Sequence, residues 1–293
     1  METVEIRAGE LLLRRWRRTD AEAVTRACQD PVLLRWAFDE LGADQVGWKA
    51  TVGNHASRLT GLRLGFRMIG RTPATAGSPE KWIATLLPGD LAAAGSELEL
   101  DPTVRKQARV FGIEPPTLDA GPVRLRPPDT RDRTAILVAY QDPQIVRWFG
   151  VPQPYTEADA RRYVEQEAPQ EWARGTEAIF VIADAADAYV GAVDLRISTT
   201  DPAVGEVGFL IAPQARGRGY ATAAVRALAT WGFAELGLIR IQWRAEVGND
   251  ASRRVAEKAG FTMEGLVRQG YQDDGRRRDC WIAALLRTDR MDQ

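Results

Sequence analysis

An apolar segment passes directly into a glycine-rich loop in the stretch Val207-Gly208-Phe209-Leu210-Ile211-Ala212-Pro213-Gln214-Ala215-Arg216-Gly217-Arg218-Gly219-Tyr220-Ala221. The apolar residues predict a strand, and the alanine-rich residues 220–235 predict a long helix. Such a turn points consecutive backbone N–H groups and the positive helix end at one spot. Glycine at 217 and 219 leaves the backbone accessible, and Arg216 and Arg218 add positive charge, so the stretch predicts a diphosphate site. A plain turn with a basic surface is the alternative.

Two better-known phosphate loops fit this stretch poorly. A Walker loop requires GxxxxGK[ST], which the chain lacks, and the dinucleotide pattern GxGxxG requires glycine where Thr222 stands. The pattern Gln214-x-x-Gly217-x-Gly219 is weak evidence by itself. Its position between a predicted strand and a predicted helix makes it stronger.

Hydrophobic patterns around the loop predict the rest of the domain. Strands are predicted at Val123–Arg126, Ala178–Ala183, Tyr189–Ser198, Val204–Ile211 and Ile239–Val247, with two closing strands that start near Phe261 and Asp279. Helices are predicted at Arg131–Tyr140, from Thr156 to about Trp172 with Pro169 ending or kinking it, at Tyr220–Glu235, and from the cap Asn249 to Ala259. The order β-α-α-β-β-β-α-β-α-β-β predicts an α/β (α+β) fold with a mixed central sheet and helices on both faces.

The chain also repeats parts of itself at two different offsets. Gln29-Asp30-Pro31 recurs 112 residues later as Gln141-Asp142-Pro143. Val52-Gly53-Asn54-His55-Ala56-Ser57-Arg58 recurs 195 residues later as Val247-Gly248-Asn249-Asp250-Ala251-Ser252-Arg253, and Gly65-Phe66 and Trp82-Ile83-Ala84 recur after it in the same order. The offsets differ by 83 residues, which predicts a tandem duplication whose first copy lacks its middle.

This repeat divides the chain into a truncated copy at 1–90, a connector at 91–117 and a complete domain at 118–293. The missing piece corresponds to about Phe149–Trp231, so the first copy retains Asn54 and Ser57 but has no glycine loop and no counterpart of Glu206. We expect it to bind no diphosphate by itself, and to pack on the complete copy or on a second chain, as in a homodimer.

Composition excludes several classes of function. A net charge of −1 gives no reason to propose nucleic acid or a membrane surface as partner, and no apolar run reaches the ~18 residues of a membrane span. The acidic N-terminus lacks the features of a signal peptide, and Cys28 and Cys280 lie far apart, so a reduced cytoplasmic protein is expected. With His55 as the single histidine a His-rich zinc site cannot form, and no metal is expected.

The complete copy resembles the GNAT superfamily of N-acetyltransferases, and within it the ribosomal-protein (RimJ/RimL) branch. The motifs that carry the resemblance are Gln141-Asp142-Pro143 with Arg147-Trp148, Glu206-Val207-Gly208-Phe209, the loop through Tyr220-Ala221-Thr222, Asn249-x-x-Ser252, and Ala259-Gly260-Phe261 with Glu264-Gly265. The resemblance implies acetyl-CoA as the donor and direct transfer to an amine in a ternary complex. It also implies a GNAT-like sheet, with the truncated N-terminal half as a reduced version of it.

Candidate catalytic residues follow from the needs of that reaction. Glu206 has apolar neighbours in the strand before the loop, so partial burial would favour its taking up a proton; a solvated carboxylate is the alternative. Ser252 and Tyr271 are rival donors of a proton to the leaving thiolate, and solvent is a third source.

Candidate binding residues surround the loop. Backbone N–H groups of Leu210 and Ile211 would polarise the thioester carbonyl if the strand splays there, as the resemblance implies. Asn249 is a helix cap, and the resemblance implies that it also contacts the pantetheine arm. The full cofactor-binding set is Leu210, Ile211, Gln214, Arg216, Gly217, Arg218, Gly219, Tyr220, Ala221, Asn249 and Ser252.

The acceptor is a primary amine in this interpretation, either a protein N-terminus or a small molecule such as an aminoglycoside or an amino acid. Trp148, Phe149 and Tyr155 lie in the segment where related enzymes shape the acceptor site, and core packing is the alternative for some of them. A different class of function remains open, a CoA-binding module without activity that serves sensing or assembly.

Overall fold

The computed structural model describes residues 6–8, 11–13, 31–91, 98–273 and 275–289. Cys28, Gln29 and Asp30, named above, lie outside these residues. The chain divides into two compact units, residues 1–100 and residues 101–293. Across the described ranges, no helix combines the length and the apolar character that crossing a membrane requires.

The strands of the described residues are β1 (Ile6–Ala8), β2 (Leu11–Leu13), β3 (Val46–Thr51), β4 (Arg67–Thr72), β5 (Lys81–Leu86), β6 (Leu118–Asp119), β7 (Arg124–Arg126), β8 (Glu177–Ala183), β9 (Tyr189–Ile197), β10 (Val204–Ile211), β11 (Arg240–Glu246), β12 (Thr262–Asp273) and β13 (Arg276–Leu286). The larger unit is built on an eight-stranded sheet in the order β12-β13-β11-β10-β9-β8-β7-β6. Neighbouring strands in it are antiparallel except β10 and β11, which are parallel.

Helices cover both faces of the large sheet, which confirms the predicted mixed α/β fold. The helices of the part that the structure describes are α1 (Pro31–Asp39), α2 (His55–Arg63), α3 (Pro102–Phe111), α4 (Arg133–Tyr140), α5 (Pro143–Phe149), α6 (Glu157–Arg162), α7 (Ala168–Arg174), α8 (Tyr220–Ala234) and α9 (Asp250–Ala259). One core lies under α8 and α9 and contains Val207, and the other lies under α4 to α6 and contains Leu210. Successive strand side chains point to opposite faces, so β10 contributes to both cores.

The predicted helix that starts at Thr156 is present but does not end at Pro169. Thr156 and Asp159 form a capping box at the start of α6. A π-helical turn at Tyr163–Glu167 joins α6 to α7, and Pro169 occupies the first turn of α7. A proline needs no N–H partner at that position, so the helix continues to Arg174.

Two segments differ from expectation. Residues 143–149 form α5, because Asp142 accepts hydrogen bonds from the N–H groups of Gln144 at 3.1 Å and Ile145 at 3.2 Å, and Pro143 is preset for the first helical position. Residues 91–117, expected to be a connector, contain α3. The Gln107 side chain in α3 donates to the carbonyl of Pro202 at 2.6 Å, so this helix belongs to the larger unit.

The parallel strands β10 and β11 separate partway along their length. They pair only from Val204 to Glu206 on β10. Beyond that point β10 stays paired with β9 as far as Ile211, and β11 stays paired with β13 as far as Glu246. The sheet therefore opens into a V directly before the glycine loop.

The smaller unit contains a three-stranded antiparallel sheet in the order β3-β5-β4. In the chain its elements follow as β3, α2, β4 and β5, and the last elements of the larger unit follow as β11, α9, β12 and β13 with the matching sheet order β11-β13-β12. The two sets of elements therefore have the same topology.

Local geometry is also alike in these two sets. Asn54 accepts from the N–H of Ser57 at 3.1 Å, and Asn249 accepts from the N–H of Ser252 at 3.2 Å. The strand pairing is irregular between Met68 and Gly70 and again between Met263 and Gly265, with φ +157° at both glycines.

Candidate functional site

A cleft of about 630 Å³ opens where β10 and β11 separate. Its walls come from α5, β9, β10, the glycine loop, the start of α8, β11, α9 and Tyr271 of β12. The sequence-predicted site residues that line it are Trp148, Phe149, Glu206, Leu210, Ile211, Arg216, Gly217, Arg218, Gly219, Tyr220, Ala221, Asn249, Ser252 and Tyr271.

Two predicted residues do not line this cleft. Tyr155 is 6% exposed and stacks on Tyr140 at 4.7 Å between ring centroids, because it belongs to the core under α4 to α6. This position favours the core-packing alternative for Tyr155. Gln214 lies in the exposed single-turn helix Pro213–Ala215 before the loop.

The glycine loop has the backbone geometry of an anion site. Gly217 and Gly219 have φ +77° and +79°, and the space where a Cβ would stand is open at both. Helix α8 begins at Tyr220, and the first N–H groups of a helix have no partner inside it. A diphosphate could approach these N–H groups without meeting a side chain.

Cations from two elements converge on this part of the cleft. Arg218 is an exposed side chain of the loop, while Arg254 and Lys258 lie one helical turn apart on α9 and face the cleft together. The sequence pattern around the loop does not predict the two α9 cations, because only the packing of α9 beside α8 brings them to the cleft.

Arg216 ties the loop to α5. Its guanidinium pairs with the Asp142 carboxylate that caps α5, and its Nε donates to the carbonyl of Ile211 at 3.3 Å. Burial alone would raise the pKa of Asp142, but hydrogen bonds from Arg216 and from the backbone outweigh it and lower that pKa. Asp142 is therefore ionised. Its pair with Arg216 joins helix α5, the glycine loop and the end of strand β10.

A second ion-pair cluster ties α5 to the opposite side of the V. Arg147 donates to both oxygens of Glu246, at 2.7 and 3.1 Å, and Arg278 donates to Glu246 Oε2 at 2.6 Å. The hydrogen bonds from Arg147, then those from Arg278, lower the pKa of Glu246. Trp148, next to Arg147, thereby becomes a fixed wall of the cleft.

Successive residues of β10 direct their backbone N–H groups to opposite sides of the strand. This alternation determines which N–H groups lie on the exposed edge. Ser198 N donates to Val204 O and Ala212 N to Val190 O, both at 2.9 Å, so even-numbered residues direct their N–H groups towards β9. Odd-numbered residues face the V instead. Beyond the last β11 pairing, these are Phe209 and Ile211, whereas the N–H of Leu210 is directed at β9.

Glu206 lies on the β10 strand at the deep end of the cleft, beside two arginines. Its Oε1 accepts from Arg196 at 3.2 Å, and its Oε2 lies 3.9 Å from Arg244. The side chain is 32% exposed, so solvent can reach this carboxylate. A carboxylate at this position can accept a proton from a group bound in the cleft.

Ser252 is oriented by its neighbours on the other wall. Its hydroxyl oxygen accepts from the indole Nε1 of Trp243 at 3.1 Å, and its N–H donates to Asn249. Since that oxygen is occupied as an acceptor by Trp243, its own proton is left to donate elsewhere. Trp243 was not predicted as a site residue. It is fully buried beneath Ser252.

A further carboxyl pair lies beside the cleft, formed by Glu177 of β8 and Asp194 of β9. Burial, then the charge of Asp194 and a hydrogen bond with it, raise the pKa of Glu177 well above its ordinary value of 4.5.

The raised pKa of Glu177 predicts a pH-dependent stability. A carboxyl whose pKa is higher in the folded chain stabilises folding below pH 4.5, and this contribution is lost as the pH rises through the folded value. Each pKa unit corresponds to about 1.4 kcal/mol. Urea unfolding over a pH series should show Glu177→Gln gaining free energy of unfolding relative to the natural chain as the pH rises. Parallel curves, like those expected for the exposed control Glu165→Gln, would show that folding does not raise the pKa of Glu177.

Comparisons with known proteins agree with this geometry. Residues 123–262 match the acetyltransferase (GNAT) domain. The putative ribosomal N-acetyltransferase YdaF of Bacillus subtilis is 32% identical over 171 residues, which cover 56% of this chain and 90% of the relative.

Solved structures give the same result for the fold. RimJ of Mycobacterium smegmatis, in complex with CoA-disulfide, superposes with a TM-score of 0.51 at 25% identity and covers 59% of this chain and 88% of its own. A GCN5-related N-acetyltransferase of Brucella melitensis superposes with a TM-score of 0.51 at 26% identity and covers 59% and 80%. The V-shaped opening, with the glycine loop at the end of β10, is thus found in a chain that aligns with nearly all of a named N-acetyltransferase. The chain belongs to the GNAT family of acetyltransferases.

Proposed function

We propose that this enzyme transfers an acetyl group from acetyl-CoA to a primary amine, by direct attack of the amine in a ternary complex. The observation that carries the proposal is the open glycine loop at the head of the separated strands. Gly217 and Gly219 leave room where any Cβ would stand, and the N–H groups beside them are directed to the same cleft as Glu206.

The residues of the cleft fit CoA along its length. The glycine loop and Arg218 would hold the pyrophosphate, and Arg254 and Lys258 would add charge for further phosphate. The free edge of β10 would pair with the amides of the pantetheine arm as an added strand does. The Phe209 and Ile211 N–H groups, not that of Leu210, are the edge donors available to a carbonyl oxygen.

Acetyl-CoA would supply an activated acyl group, and residues of the chain would accept and donate the protons. An acceptor ammonium gives one proton to Glu206, which frees the nitrogen lone pair for attack. Attack forms the C–N bond and breaks the C–S bond, and the nitrogen then loses a second proton to solvent, which replaces the proton that Ser252 gives to the sulfur. The departing sulfur gains a proton from Ser252, whose hydroxyl is directed by Trp243, with Tyr271 and solvent as rivals.

A protein N-terminus is the acceptor that the relatives favour, because the B. subtilis relative is named a ribosomal N-acetyltransferase. The open end of the cleft beside Trp148 and Phe149 would admit a chain end, and also a small amine. Thiol release from acetyl-CoA, measured over peptides with free N-termini and over small amines, tests the proposal. Turnover on at least one amine is expected. Tight CoA binding with no turnover on any amine would instead support a non-catalytic sensing or assembly module.

We also propose that residues 1–90 are a truncated copy of the same domain, with 91–117 between the copies and the complete domain at 118–293. Shared topology and the matching caps at Asn54 and Asn249 support this. In this proposal the first copy lacks a glycine loop and contributes nothing to CoA binding.

Asn54→Ala and Asn249→Ala form a matched pair that tests this proposal. Each removes a helix N-cap, which costs about 1 kcal/mol of stability. Only Asn249→Ala should also raise the Kd for CoA, by about fivefold, because it removes a hydrogen bond to the pantetheine arm. Calorimetric titration with CoA measures both. Weaker CoA binding by Asn54→Ala would contradict an inactive first copy, and unchanged binding by Asn249→Ala would leave that residue as a cap alone.

A further inference from the structure

Three carboxylates line the cleft within the described residues, Asp194, Glu206 and Glu246. The arginine pairs described above compensate the charges of Glu206 and Glu246. Asp194 is different, because its nearest charged partner is Nε of Arg196, 3.6 Å from Oδ2, and that arginine also serves Glu206. One negative charge in the cleft is therefore only partly compensated.

Asp194 is placed at the reacting end of the cleft. It stands opposite Gly208 in the antiparallel register, and a Cβ at Gly208 would lie 2.6 Å from Asp194 Oδ1. The carboxylate therefore lies directly over the glycine backbone, on the same face of the sheet as Glu206. Since a strand rises ~3.4 Å per residue, Asp194 lies about 7 Å further along the strand direction than Glu206, beside the part of β10 that has separated from β11.

The groups around Asp194 leave part of its hydrogen-bonding capacity unused. Its buried Oδ2 has no hydrogen-bond partner in the described part of the chain, and a hydrogen bond joins its carboxyl group to that of Glu177. Tyr140 and Tyr163 face the same region from the helices, and burial raises the pKa of both, so they carry no charge. Arg196 and Glu206 are the remaining charged groups beside it.

We propose that Asp194 binds the ammonium group of the acceptor and so selects acceptors with a single positive charge at the reacting nitrogen. This assignment rests on the proposed acetyl transfer. An ammonium on Asp194 lies between Glu206, which takes its proton, and the β10 edge, where the acyl carbonyl would be held. Because the other two carboxylates are compensated by arginines, the cleft offers no second anionic subsite for a polycation.

The selectivity can be measured by binding alone, with benzylamine and the neutral isostere benzyl alcohol titrated by NMR into the full chain saturated with CoA. The natural chain should bind benzylamine at least about tenfold more tightly than the alcohol, as expected for a charge-assisted hydrogen bond. Asp194→Asn should abolish this preference and leave the affinity for the alcohol and for CoA unchanged. Asp250→Asn, an exposed change of the same charge outside the cleft, should keep the preference.

A second variant changes the position of the Asp194 carboxylate but keeps its charge. Gly208→Ala retains the carboxylate but displaces it, because the new methyl group would lie 2.6 Å from Oδ1 and 2.9 Å from Oδ2 of Asp194. It should reduce the preference and raise the KM of any amine that turns over, about tenfold, with a smaller change in kcat. The role of Asp194 is overturned if Asp194→Asn loses affinity for the amine and the alcohol equally. It is also overturned if the preference for the amine survives the substitution. Absence of turnover by the natural chain would instead contradict the proposed function, whatever the binding preference.

Discussion

A chain carrying both Gly217→Val and Gly219→Val is expected to bind CoA at least about a hundredfold more weakly than the natural chain. Both glycines have positive φ, at +77° and +79°, a conformation that costs a β-branched residue about 1 to 3 kcal/mol. The new side chains would also occupy the open space through which a phosphate reaches the backbone N–H groups. Calorimetric titration with CoA measures the loss.

Gly121 offers a matched control for this variant. It has φ +70° with open space around it, and it lies in the turn before β7, away from the cleft. Gly121→Val therefore carries the same kind of backbone strain without blocking the anion site. It should lower thermal stability while leaving CoA affinity unchanged. Unaltered CoA affinity in the double loop variant would show that the diphosphate binds elsewhere.

Glu206→Gln is expected to lower kcat/KM for the amine about a hundredfold or more, which is the usual contribution of a general base. The amide keeps the shape of the carboxylate, but it cannot take a proton from the ammonium. Because Glu206 lies on β10 and not in the glycine loop, the Kd for CoA should stay the same. Thiol release under steady-state conditions, with CoA titration alongside, measures both quantities.

Glu264→Gln is the control for Glu206→Gln. Glu264 also pairs with an arginine, Arg240, but lies outside the cleft. Its replacement should leave kcat/KM within about twofold. If Glu206→Gln behaves like this control, Glu206 is a partner of Arg196 and Arg244 and has no part in proton transfer.

Local patterns in the sequence predict most of the fold. The bounds of β10 are as predicted, and the prediction of a helix from Asn249 to Ala259 is confirmed by the Asn249 cap and by the left-handed Gly260 that ends α9. These features succeed because a cap, a terminal glycine and strand alternation are set by residues close together in the chain. The Asp142-Pro143 start of α5 is a signal of the same kind that was not used as a helix predictor.

Other site residues depend on contacts between distant segments, which local patterns cannot reveal. Asp194 reaches the cleft because β9 pairs with β10 in one register, and Arg254 reaches it because α9 packs beside α8. Contacts between separate segments also explain why Tyr155 lies away from the cleft. Trp148 and Phe149, a few residues earlier in the chain, line the cleft, but the Tyr155 ring stacks on Tyr140 in the core.

The central claim is that the glycine loop binds the pyrophosphate of CoA. Calorimetric titration of the full chain with CoA and with pantetheine, which lacks the pyrophosphate, tests it most directly. CoA should bind with a Kd in the micromolar range, and pantetheine should bind at least about a hundredfold more weakly. Equal affinity for the two ligands, or no heat with CoA, would contradict the claim.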